Sequence, residues 1–358
     1  IHRKRIPKYG PKDAEIIKLA WSATNFIGSK RLAPFLCELI PSLERHGYLE
    51  LTDTERGKIT QISAATIDRM IQCYRNNQSG RGLSTTKSGS LLKHRISLRT
   101  FSDWNEVQPG FFEADLVAHC GQSMAGTFLF SLVLTDVHTG WTECLAIPNK
   151  SQDFVIQAMK ACRRLIPYPL LGIDTDNGSE FINNEFIDYC EKEEITFTRG
   201  RAYKKNDQCF VEQKNGTIVR QLVGYDRYEG LKACHQMNEL YRAIRLFVNF
   251  FQPSMKLKIK HRNGCHEYRK YDQARTPYHR TVESSVLSPN IQTKLHNLFE
   301  SIDPVQLLQH IRQLQDALWK HVVTLDKTQN IPLIIFERGN NTLNEKCTEF
   351  IKLSLIHI

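Results

Sequence analysis

Three acids in this chain stand where chemistry is possible. Asp115 lies inside the apolar run FFEADLVA. Asp176 opens the Asp176-Asn177-Gly178 break that follows a short apolar strand, and Glu212 is a lone acid among basic and amide residues in a helical run. Cleaving a phosphodiester builds charge on the attacking and leaving oxygens, and two divalent ions roughly 3.5–4 Å apart stabilise both. Mg²⁺ prefers carboxylate oxygens and water, so the protein need supply only a few acids. The pattern therefore predicts two Mg²⁺ (or Mn²⁺) ions held by Asp115, Asp176 and Glu212. Singly, each acid has a plainer explanation: a hydrogen-bonded Asp in a strand, an Asp-Asn-Gly turn, a solvated Glu on a helix. Their order, and the elements they sit on, set them apart.

Those elements must bring the acids together. FFEADLVA reads as a strand, TFLFSLVLTDV as a second and GWTECLAIP as a third, with hairpin chemistry between the second and third at Asp136 to Gly140. A helix follows over Gln152 to Leu165. PLLGIDTD is then a fourth strand, NNEFIDYCEKE a helix, ITFTR a fifth strand and NDQCFVEQKNGTIVRQLV a closing helix. Three antiparallel strands followed by α/β units on one sheet is the ribonuclease H-like order. Asp115 is then mid-strand, and Asp176 sits just past a strand end, where an α/β sheet offers its ligand crevice. Val211, Asn215, Ile218 and Leu222 share one stripe of the closing helix, with Glu212 a step round at its rim.

The flanking regions suggest what the acids act on. The chain has 358 residues, a net charge of +10 and 41% hydrophobic residues, long enough for two or three domains. Residues 1–100 hold 18 Lys/Arg against 8 Asp/Glu, whereas the remainder holds 30 of each, so the whole positive excess lies in the first hundred residues. That asymmetry fits a polyanion-binding module or a solvated basic surface. Residues 12–46 show helical spacing, with a break at Phe26 to Ser29 and Pro34 expected in the first turn of the second helix. Thr52 or Asp53 and then Ser63 offer caps for two shorter helices. ITQISAATIDRMI has helix-turn-helix character, with Thr66, Asp68 and Arg69 on the open face of its second helix, suited to a major groove. An ordinary helical hairpin is the alternative.

We expect residues 1–75 to form the helix-turn-helix region, 76–105 a basic linker, 106–252 the catalytic core and 253–358 a basic and helical C-terminal extension. Within the extension, Lys256, Lys258, Lys260 and Arg262 alternate on one face of an extended segment, which suits either a phosphate backbone or a lysine-protected edge strand. A helix is expected at 303–320, capped by Asp303 with Pro304 at its first position. The ten cysteines show no CxxC pair and no zinc spacing, as in a reduced cytosolic protein without structural zinc. No apolar run reaches the ~18 residues of a membrane span, and the N-terminus has no signal-peptide pattern. The chain begins at Ile1 without an initiator Met, as a fragment would.

FFEADLVAH, LVLTDVHTGWTE, IDTDNGSEFIN, YKKNDQCFVEQKN and VRQLVGYDRYEG together resemble the catalytic core of the D,D,E transposases and retroviral-type integrases, especially bacterial insertion-sequence transposases. Thirty-five residues separate Asp176 from Glu212, the separation this family is known for. The resemblance covers about residues 110–280. It implies that Asp115, Asp176 and Glu212 bind the metals, that Asp176 rather than Asp174 is the matching acid, and that Glu180 supports the loop. It makes Tyr203, Lys204, Lys205, Asn206 and Gln208 candidate DNA-end contacts. It also implies 3′-end cleavage followed by strand transfer, a DNA partner, a dimer or larger assembly, and work at the bacterial nucleoid. The zinc module of retroviral integrases is missing, and the helix-turn-helix reading takes its place. A nuclease on the same fold, or a DNA-binding regulator with a silent core, are the rival readings.

Overall fold

The computed structural model describes residues 8–74, 97–98, 108–200, 208–263 and 266–323. In chain order the elements are α1 (Pro11–Ala23), α2 (Ser29–Arg45), α3 (Asp53–Thr60), α4 (Ala64–Ile71), β1 (Ser97–Leu98), β2 (Phe111–Ala118), β3 (Phe130–Asp136), β4 (Thr142–Ile147), α5 (Gln152–Leu165), β5 (Gly172–Thr175), α6 (Asn184–Lys192) and β6 (Thr196–Arg199). Then come α7 (Cys209–Lys214), which runs directly into a π-helical segment (Asn215–Val223), and α8 (Gly230–Phe251), β7 (Leu257–Asn263), β8 (His266–Tyr271), α9 (Pro277–Glu283), α10 (Pro289–Ser301) and α11 (Pro304–Trp319). The described residues cluster into two compact units, one within Ile1–Ser79 and Leu246–His310, the other within Gly80–Arg245 and Ile311–Ile358.

The second unit is built on one mixed sheet of order β1-β6-β5-β2-β3-β4. β2, β3 and β4 form the antiparallel meander, and β5 and β6 add in parallel beside β2, the ribonuclease H-like arrangement. β3 is buried at every position, as a central strand covered on both faces must be. The β3–β4 turn closes as its sequence indicates: Asp136 Oδ2 accepts from the Thr139 N–H at 2.6 Å, and Gly140 takes φ +76°. The early turns of α8 pack on the meander, where Tyr241 Oη lies 2.6 Å from Ser131 Oγ and Asn238 Oδ1 accepts from the Ala146 N–H at 2.8 Å. Past the end of β2, buried Arg227 donates to the carbonyls of Cys120, Ser123, Ala125 and Thr127 and so fixes the loop into β3.

In the first unit Leu32, Phe35, Leu36 and Leu39 of α2 are buried with Ile17 of α1 and Ile67 of α4. Thr52 and Glu55 form a capping box on α3, and Ser63 Oγ accepts from the Thr66 N–H to cap α4. α2 begins at Ser29, so Pro34 is inside the helix rather than in its first turn, and Pro41 lies inside it as well. The lysine-rich segment is strand β7, paired antiparallel with β8, which the sequence reading had not paired. α9 and α10, also unforeseen, join this unit through the aromatic cluster of Phe250, Tyr278 and Phe299. Asp303 caps α11, its Oδ1 accepting from the Val305 N–H at 2.9 Å.

Candidate active site

The site forms where β2 and β5 run side by side. Their register pairs Glu113 with Asp174 and Ala114 with Thr175. One step further, β5 ends and Asp176 follows, level with Asp115. Residues two apart on a strand share a face, so β2 and β5 present two tiers of acids on one side of the sheet. The inner tier, Glu113 and Asp174, is fully buried. The outer tier is half-buried, Asp115 in the middle of β2 and Asp176 just past the end of β5.

The outer tier carries the stronger sign of a shared function. Burial and then the charge of Asp176 push the Asp115 carboxyl up to about 7. Its Oδ1 accepts from the Leu116 N–H and its Oδ2 from Asn215 Nδ2, both at 2.7 Å. Asp176 is raised by burial and by Glu180, and lowered by its bond from the Gly178 N–H at 2.8 Å and by Lys150. Glu180 in turn meets Lys150 Nζ at 3.4 Å. A Cβ on Gly178 would lie 2.8 Å from Asp176 Oδ1 and 2.7 Å from the Glu180 carboxyl carbon, so a larger residue here would push the two acid side chains from their places. Asn177 donates to the Gly200 carbonyl at 2.9 Å and accepts from Arg199 at 3.1 Å, pinning the turn to the end of β6.

The inner tier faces α7. Glu113 Oε2 accepts from the Val211 N–H at 2.7 Å. Burial pushes Glu113 well up from the usual carboxylate range, and the charges of Asp174 and Glu212 add to the rise. Asp174 accepts from Thr198 Oγ1 at 2.6 Å and from Gln208 Nε2 at 3.5 Å.

The structure thus brings Asp115 and Asp176 together and sets Glu212, exposed on α7, within electrostatic reach of Glu113. Among the described residues, no three His, Cys, Asp or Glu side chains form a group arranged to hold a metal ion. The donor chemistry still fits a hard divalent cation. Asp115 and Asp176 offer only oxygen, and their mutual repulsion is what such a cation would relieve. Asn215 lies on the expected stripe, while Val211, Ile218 and Leu222 are buried.

Gln208 is buried, with its Nε2 3.5 Å from Asp174 Oδ2. Lys204, Lys205 and Asn206, with Tyr203, lie outside the described residues. In the other unit, Arg69 of α4 is exposed and its Nη2 donates to Thr66 Oγ1 at 3.1 Å. Lys258 and Lys260 are on β7, and Lys256 just precedes it. Sequence reasoning missed Glu113. Its position two residues before Asp115, on the same face of a strand, was the available signal.

Residues 108–205 match the family described as Integrase core domain. The chain is 43% identical over 269 residues to the uncharacterized protein y4rM of Sinorhizobium fredii (strain NBRC 101917 / NGR234), a match covering 75% of this chain and 77% of that protein. Among solved structures, it is similar to the HTLV-2 integrase catalytic core domain in complex with magnesium, in a dimeric form, at 20% identity and TM-score 0.32, covering 41% of this chain and 91% of that one. It is also similar to the catalytic core domain of BIV integrase, at 19% identity and TM-score 0.32, covering 49% of this chain and 95% of that one.

Proposed function

Because this chain belongs to the integrase-core family within the D,D,E integrase and transposase superfamily, we propose that it is a transposase that cuts the 3′ ends of a DNA element and joins them to target DNA. The observation that supports this reading is that Asp115, in the middle of β2, and Asp176, just past the end of the adjacent β5, each follow the last residue pair of the β2–β5 register and lie close enough for the charge of Asp176 to raise the Asp115 carboxyl. Asp115, Asp176 and Glu212 would hold Mg²⁺ or Mn²⁺, two ions per site, supplying charge stabilisation to the attacking and leaving oxygens.

The chain's own residues have separate parts in this scheme. Gly178, Asn177 and Arg199 hold the turn that presents Asp176. Asn215 orients Asp115. α7 carries Glu212, exposed and next to the buried Val211. Lys204, Lys205 and Asn206 precede α7 and are proposed to contact the DNA end, the two lysines neutralising phosphates near the cut. Thr66 and Arg69 on α4 are proposed to read the element's end, and Lys256, Lys258 and Lys260 to meet the backbone elsewhere. Joining two ends requires two sites, so a homo-oligomer is part of the proposal. No described helix is long and apolar enough to cross a membrane, and the proposed place of work is the bacterial nucleoid.

The test is a strand-transfer assay with labelled element ends, comparing the wild type with Glu212→Gln. Joining lost in the variant while DNA binding survives supports the reading. Cutting without joining by the wild type would make it a nuclease instead, and undiminished joining by Glu212→Gln would remove Glu212 from the chemistry.

A further inference from the structure

Glu113 is a fully buried acid on a central strand, and its register partner on β5 is another acid, Asp174. Burying a carboxyl is costly unless its oxygens are hydrogen-bonded. Only one oxygen of Glu113 is well served. Oε2 accepts from the Val211 N–H at 2.7 Å, and the Phe210 N–H also bonds the carboxyl. Oε1 is buried with no hydrogen-bond partner among the described residues. An apolar residue here would avoid that cost, so the carboxyl has a use that packing alone does not explain.

The use is indicated by what it grips. The first turn of a helix leaves its N–H groups without intrahelical partners, and Phe210 and Val211 are the two residues just before Glu212. Two further bonds tie the same stretch to the sheet: Gln208 Nε2 to Asp174 Oδ2 at 3.5 Å, and Asn215 Nδ2 to Asp115 Oδ2 at 2.7 Å. Glu113 and Asp115 are two apart on the strand, a span of roughly 6.6 Å, and Val211 and Asn215 four apart on the helix, a rise of roughly 6 Å. The spacings match, so both attachments can form together. They differ in one respect. A metal at Asp115 would compete with Asn215 for its oxygens, whereas Glu113, outside the proposed ligand set, keeps its oxygens for the backbone of α7.

We infer that Glu113 is a positioning residue for Glu212, the fixed attachment that sets the helix start on β2 whether or not Asp115 is engaged with metal. This rests on the strand-transfer reading only for its consequence in catalysis, since the attachment itself is the bond from the Val211 N–H to Glu113. Misplacing a reacting group by about 1 Å costs on the order of a hundredfold in rate, so a loosened helix start would show in metal dependence before it showed in DNA binding.

Two measurements on the full chain test it. In amide hydrogen exchange without metal, Glu113→Ala should speed exchange across Val211–Asn215 by about tenfold or more, leaving β3 and α8 at wild-type rates. Glu113→Gln, whose Oε1 accepts the same bond, should restore the protection. In strand joining, Glu113→Ala should raise the Mg²⁺ concentration for half-maximal rate by about tenfold, with duplex binding unchanged. Wild-type exchange over Val211–Asn215 in Glu113→Ala, or Glu113→Gln as poorly protected as Glu113→Ala, overturns the inference. Should Glu113→Ala fail to fold, Glu113→Asp, one methylene short of the Val211 N–H, is judged by the same criteria. A wild-type protein that never joins DNA would defeat the strand-transfer reading, while the exchange result would still decide on the attachment.

Discussion

Asn215 donates from Nδ2 to Asp115 Oδ2 at 2.7 Å, a bond between residues 100 positions apart that ties the start of the π-helical segment to the middle of β2. It occupies one oxygen of an acid that already carries the cost of burial and of a like charge at Asp176. Asp115→Asn keeps an acceptor for Asn215 and removes that cost. The variant should lose strand joining altogether and yet be more stable without metal, by about 2 kcal/mol at pH 8 after allowing for solvent screening at a half-buried group. Thermal unfolding of the two proteins in a chelator checks this, and a lower midpoint for the variant would contradict it.

The same carboxyl predicts a pH dependence. Its folded pKa of about 7 lies above the ordinary Asp value, so its stabilising contribution is full below about pH 4 and is lost as pH rises through 7. Metal binding needs the ionised form. Mg²⁺ or Mn²⁺ binding near pH 7 should therefore release protons and tighten as pH rises to about 8. Calorimetry in buffers of different ionisation enthalpy measures the release directly, and Asp115→Asn should abolish it.

His119 sets an opposite slope. Burial first, and then Arg220, push its imidazole down to about 3, and Nε2 lies 2.7 Å from Ser131 Oγ. A folded pKa below the unfolded one contributes stability above about pH 6.5 that is lost as pH falls toward 3. His119→Gln, which keeps a group to face Ser131 and does not titrate, should flatten the acid limb of a stability profile by up to about 1.4 kcal/mol per pH unit between pH 6 and 4. Denaturant midpoints across that range decide the matter.

Glu143 is paired on the covered side of the meander. Arg245 Nε meets its Oε2 at 2.7 Å, and Trp141 Nε1 donates to its Oε1 at 2.7 Å. The Glu143 side chain is only 1% exposed, so Arg245→Met would strand a buried carboxylate and cost about 3–5 kcal/mol. Adding Glu143→Gln should recover most of the loss, because the Trp141 donor keeps an acceptor. A double-mutant cycle by denaturant unfolding tests both statements.

Much of the second unit was legible because its signals are local. Short apolar runs bounded by turn residues indicated β2, β3 and β4, and the helix over Gln152–Leu165 has the expected ends. Thr52, Ser63 and Asp303 cap helices because short polar side chains at those positions reach free N–H groups. What escaped notice depends on partners distant in sequence. β8 is too polar to read as a strand alone and is defined by pairing with β7. The contact of Gln208 with Asp174, 34 residues away, is of the same kind. The roles of Glu113 and Asn215 follow from how α7 lies on β2, which no local pattern encodes. The closing helix was expected as one α-helix, but from Asn215 it widens to π geometry.

That widening has a consequence for how this stretch tolerates length change. A π-helix closes each hydrogen bond one residue later than an α-helix, so the span from Asn215 to Val223 carries slack. Losing a residue there, for instance Gly216, whose position has open space around it, lets the backbone tighten to α geometry while Val211 and Leu222 keep their seats. The polypeptide just behind Glu212 can thus shorten without dragging the acid.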